Sequence, residues 1–101
     1  MAASSEEAFL VCESDHDHAV ATASNMVFAI WRRKTQPDAC RRVIGFVREI
    51  ARRHPEGVGL TQIIDVEAEP PDGETRKAIV EMMKQPALKY FSAVHDEEGF
   101  K

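Results

Sequence analysis

An α/β fold is expected for this chain: a mixed sheet of four or five strands that opens on a β-hairpin and continues through parallel β-α-β crossovers. Three stretches carry that expectation. Met26–Trp31 is a nearly unbroken apolar run, short enough for a strand buried on both faces. A basic amphipathic helix follows from about Pro37 to His54, and a turn at Pro55–Glu56–Gly57 leads into a second apolar run, Leu60–Val66. Buried strands joined by a helical crossover are almost always parallel, because no hairpin can return the chain in the same direction.

The elements follow in chain order. Residues 1–7 have the composition of a disordered start, and residues 8–101 that of a single domain. Ala8–Glu13 forms a first strand, Ser14–Asp17 a polar turn and His18–Ala23 a second strand. Ser24–Asn25 has the chemistry of a tight hairpin turn, which pairs His18–Ala23 antiparallel with Met26–Arg33. Thr35 or Gln36 caps the first helix, Pro37 occupies its first turn and Asp38 complements its dipole. Its inner face is Ala39, Cys40, Val43, Ile44, Val47, Ile50 and Ala51. The outer face carries Arg41, Arg42, Arg48, Arg52 and Arg53, with Asp38–Arg42 and Glu49–Arg53 as ion pairs at four-residue spacing, and Gly45 among them.

The strand 58–66 is followed by a rigid acidic loop, Glu67–Gly73. Asp72 is a strong cap for a helix from Gly73 to Lys84 with Ala78, Ile79, Met82 and Met83 buried. Pro86 stops that helix, and Leu88–Val94 is the last strand. The order is β-β-β-α-β-α-β. Many folds of this order continue into a further helix, so the chain is expected either to be truncated or to leave an apolar sheet face for a partner or second subunit.

The net charge of −4 hides an asymmetry. Arg32 to Arg53 holds most of the positive charge, whereas acid dominates before it and from Asp65 onward. A bipolar surface favours docking to a protein over wholesale binding of nucleic acid. The basic helix also lacks the interleaved aromatics of a nucleic-acid site. No apolar stretch reaches the roughly 20 residues of a membrane span. The polar, acidic start is unlike a signal peptide, so a cytoplasmic protein is expected. Cys12 and Cys40, the only 2 cysteines, show no metal spacing and behave as small buried hydrophobes in a reducing compartment.

Two clusters suggest chemistry and are better explained without it. Asp15–His16–Asp17–His18 places imidazoles two residues apart, but a metal needs further fixed ligands, and a solvated turn is the simpler account. His95–Glu98 is a run of like charge near a terminus, where solvent screens it. Gly57–Val58–Gly59 precedes a strand, the wrong context for a phosphate loop. The segment Asp65–Thr75 lies at the end of a parallel strand, where open α/β sheets place ligands. Its charge repels free anions, so an Arg- or Lys-rich protein surface is the expected partner.

With the hairpin, the basic helix, the strand ending in Asp65 and the loop and helix beyond it, residues 18–98 resemble the STAS domains of bacterial anti-sigma factor antagonists. The likeness is greatest to the divergent, small stand-alone members. In that family an Asp-Ser-Ser-Gly motif opens the helix after this strand, and a kinase phosphorylates a serine there to release a partner. Laid over this chain, Asp72 matches the Asp, Gly73 and Glu74 stand at the serines and Thr75 at the glycine. Thr75 is the one hydroxyl near enough to serve as phosphoacceptor, and Glu74 already supplies a negative charge.

The resemblance implies a non-enzymatic protein-interaction domain in bacterial signalling. It would bind a regulator or kinase through Asp72, Gly73, Glu74 and Thr75, with Arg41, Arg48 and Arg52 adding to the surface. No catalytic residue, metal or cofactor is expected, and neither nucleic acid nor membrane is an expected partner. Two alternatives stand beside it. One is a small ligand-binding protein or enzyme with a pocket at the strand ends using Asp65, Glu69 and His95. The other is a homo-oligomeric structural module assembled through an uncovered sheet face.

Overall fold

Side chains alternate along Met26–Trp31: Val27, Ala29 and Trp31 are buried, and Met26, Phe28 and Ile30 half-buried. This strand is therefore covered on one face rather than two, which corrects the reading of its apolar run. In the computed structural model, which describes residues 9–95, the cause is the placement of the helices. The elements are β1 (Leu10–Ser14), β2 (His18–Ala23), β3 (Met26–Trp31), α1 (Pro37–Arg53), β4 (Val58–Ile64), α2 (Gly73–Met83) and β5 (Leu88–His95). Their order is the one the sequence implies. The expected disorder of residues 1–7 and the acidic loop after His95 lie outside the described residues.

The five strands stand in the sheet in chain order, β1-β2-β3-β4-β5. β1, β2 and β3 form an antiparallel meander, and β3, β4 and β5 run parallel. Ser24–Asn25 closes the β2–β3 hairpin in two residues, with Ser24 in the left-handed region at φ 55° and Ala23 opposite Met26. Each crossover advances the sheet by one strand in the same direction, and the two helices pack on each other, so both lie on one face. Among the described residues the other face carries no helix.

The core sits between that helical layer and the sheet. Ala39, Cys40, Val43, Ile44, Val47 and Ile50 of α1 meet Val20, Val27, Trp31 and Leu60, and Ala78 and Met82 join them from α2. Pro37 begins α1 as expected, but Gln36 caps it by backbone alone, and the Thr35 side chain is buried. The arginines of α1 pair differently from expectation. Asp38 binds Arg41 at 2.6 Å and Glu49 approaches Arg52 at 3.4 Å, one residue closer in the chain than the pairs the spacing suggested. Arg42 is free of Asp38 because it reaches across to Glu13 on β1. In α2 the buried side is Thr75, Ala78 and Met82, whereas Met83 faces outward, contrary to its expected place in the core.

Candidate functional site

The loops after β3 and β4 meet at the C-terminal ends of the parallel strands. Asp65 N–H donates to the Trp31 carbonyl at 2.9 Å, and Glu69 N–H to that of Arg33 at 2.6 Å. These bonds tie the acidic segment directly to the basic one, Arg32–Lys34. Pro70–Pro71 then delivers the chain to α2, where the Asp72 carboxylate accepts from Thr75 N–H at 2.8 Å. That bond and the Thr75 hydroxyl hold the Asp72 pKa below its ordinary 3.8, with Lys34 and Arg76 adding to the effect. Arg76 also donates to the Pro71 carbonyl at 3.1 Å. Of the loop's carboxylates, Asp72 is thus answered by the chain itself.

Asp72, Gly73 and Glu74 are exposed side by side on the first turn of α2. Thr75 is not: it is only 2 % exposed, and its hydroxyl is engaged by the cap. A kinase would reach it only after that turn opened.

The three arginines named with this turn are not gathered there. α1 runs antiparallel to the strands, so Arg41 lies near its start while Arg48 and Arg52 approach the opposite end of the sheet. Arg48 donates to the side chain of Gln85, just beyond the far end of α2, at 3.2 Å. Arg48 and Arg52 share a shallow groove of about 460 Å³ with Gln85, Pro86 and Ala87. An eleven-residue helix, about 16 Å long, separates that groove from Asp72.

The outer side of α2 is a surface that the sequence pattern did not single out. Gly73, Arg76, Lys77 and Val80 line a groove of about 480 Å³, and Met83 and Lys84 extend the same stripe at helical spacing. Val80 is 47 % and Met83 43 % exposed, large apolar side chains among cations. Gly73 has nothing within 4 Å of where its Cβ would stand, so the upper end of the groove is open.

His18 is the second departure from expectation. It is 3 % exposed, stacked near Trp31 with ring centroids 5.9 Å apart, and so does not belong to a solvated turn. Its Nε2 lies 2.5 Å from Glu13 Oε2, and Arg42 Nε donates to both Glu13 oxygens at 3.1 Å. Trp31 Nε1 donates to Gln62 Oε1 at 2.8 Å, which extends the polar line beneath α1. Asp15 turns the chain by accepting from Asp17 and His18 N–H groups, and these bonds hold its pKa below 3.8. His16 remains outside, and among the described residues no three His, Cys, Asp or Glu side chains converge as metal ligands.

Of the alternative pocket, Asp65 is half-buried and Glu69 exposed on the loop, with His95 at the end of β5. No helix among the described residues is long and apolar enough to cross a membrane. No protein-family model matches the chain, and no curated protein or solved structure does.

Proposed function

We propose that this chain is a non-enzymatic interaction domain of cytoplasmic signalling, of STAS-like type, which binds a protein through the outer stripe of α2 and the turn that begins it. The observation that carries the reading is the exposure of Val80 and Met83 between Arg76, Lys77 and Lys84. Apolar side chains left in water among cations suit a partner segment that brings a large apolar residue and acidic neighbours. Asp72 and Glu74 at the top of the stripe fix its polarity, so such a segment has one preferred direction along the helix. Arg48 and Arg52 form a separate basic groove at the other end and are not part of this surface.

The test is capture of partners from a bacterial extract by the native chain and by Val80→Glu and Lys77→Glu. The expected outcome is one protein retained by the native chain and lost with either variant. If both variants keep every protein that the native chain captures, the reading fails. Stabilisation of the chain by several degrees with a nucleotide or metabolite would favour the ligand-binding alternative.

A further inference from the structure

We infer that the bare face of the sheet is the seat of a second copy of this chain. Strand register assigns the face residue by residue. Val11 from β1, Ala19, Ala21 and Ala23 from β2, and Met26, Phe28 and Ile30 from β3 stand on it, followed by Thr61 and Ile63 from β4 and Tyr90, Ser92 and Val94 from β5. Phe9 joins them by packing on Phe28, ring centroids 5.0 Å apart. None of these residues is charged, although the chain as a whole carries −4. The side chains at the two edges, Phe9, Val11, Tyr90 and Val94, are each more than half exposed.

Three features favour this occupant. First, an uncharged face meets its own copy without like-charge repulsion, whereas a charged partner would bury ions that nothing here can pair. Thr61 and Ser92, whose hydroxyls are 3.1 Å apart, satisfy each other in part, so the β4–β5 side of the face can be covered without water. Second, the shape is self-complementary. β2 contributes only small alanine side chains, with Ala19 and Ala21 already buried within the subunit, so this strip lies low between Val11 and the larger Phe28 and Ile30. A two-fold axis along β3 sets β2 of one copy over β4 of the other and β1 over β5, so that Ile63 comes over Ala19 and Val11 over Ser92.

Third, the size is sufficient. Five strands about 4.8 Å apart, with about six residues each at about 3.3 Å, make a footprint of roughly 24 by 20 Å. Two such faces remove on the order of 1,000 Å² from water before any rim is counted, the lower bound of a specific interface.

Sedimentation of the full chain at about 100 μM, above the micromolar dissociation constants of modest interfaces, tests the inference. The expected result is a dimer that Val11→Lys or Val94→Lys converts to monomer with an unchanged circular dichroism spectrum. Both positions are already exposed, so the lone subunit tolerates the lysine. Val80→Lys, on the helical side, leaves the dimer intact and separates this face from the proposed partner surface. A monomeric native chain at that concentration, or a dimer indifferent to both sheet-face lysines, overturns the inference.

Discussion

Glu13 and His18, on neighbouring antiparallel strands, share a 2.5 Å contact that Arg42 completes from the first helix. The three residues pin the edge strand β1 to the helical layer, although β1 itself contributes little to the core. Removing Glu13 leaves the buried imidazole without its acceptor, which costs about 1–3 kcal/mol. Glu13→Ala is therefore expected to lower the urea midpoint at pH 7, while Ser14→Ala does not. Burial opposes ionisation of Glu13, but His18 and Arg42 outweigh it and hold the pKa below 4.5. A carboxylate with a lowered folded pKa stabilises above its unfolded value and loses that contribution as pH falls through the folded one. The gap between native chain and variant should accordingly begin to narrow below pH 4.5 and close once the pH falls beneath the lowered folded value.

Gln62 is buried with its side-chain oxygen on the Trp31 indole. Gln62→Leu keeps the volume and strands the indole N–H, so a loss of about 2 kcal/mol is expected in denaturant unfolding. Trp31→Phe in the same chain removes the stranded donor. The double variant should recover part of the loss, a coupling that a double-mutant cycle measures.

Gly45 sits on the exposed side of α1 with nothing within 4 Å of a Cβ position. Gly45→Ala should stabilise the fold by about 0.5–1 kcal/mol, because alanine loses less backbone freedom in a helix. Calorimetry should show a melting temperature raised by a few degrees.

Asp72→Ala removes the cap of α2 and should lower the melting temperature by a few degrees, while Asp72→Asn retains the acceptor and changes it little. Because the Asp72 pKa is lowered, its contribution belongs to pH values above 3.8 and disappears on acidification. The cost of Asp72→Ala should therefore vanish in strongly acidic buffer.

Burial pushes the Cys40 thiol up to about 11, and no disulfide joins it to the half-buried Cys12. At pH 8 roughly one Cys40 in a thousand is thiolate. Ellman's reagent should label Cys12 first and reach Cys40 only on unfolding, as two well-separated phases.

Local signals made the scaffold legible. Pro37 after a polar turn, the apolar spacing Ala39–Val43–Ile44–Val47–Ile50 and the Asp72 cap are all decided within a few residues, and the structure keeps each of them. What failed depended on partners distant in sequence. Arg42 had an acid at the right helical spacing in Asp38, yet Glu13, 29 residues away, binds it instead. His18 opens β2 beside a polar cluster that reads as solvated, and only its packing on Trp31 and its bond to Glu13 show it buried. Met83 follows a buried Met82, and the side it takes depends on where α1 lies, which no local pattern encodes. The same reason kept the stripe on α2 hidden.

Because spatial order in the sheet repeats chain order, each strand finds its partner in the segment made just before it. No strand must be threaded between two that are already paired. Assembly can start at the β2–β3 hairpin, whose two-residue turn closes the shortest loop in the chain, and add one helix and one strand at a time. Contacts of this kind are short-range for a sheet with parallel strands, a class whose pairing is otherwise slow. The protein is thus suited to fold as it leaves the ribosome, each new segment docking on a surface already formed.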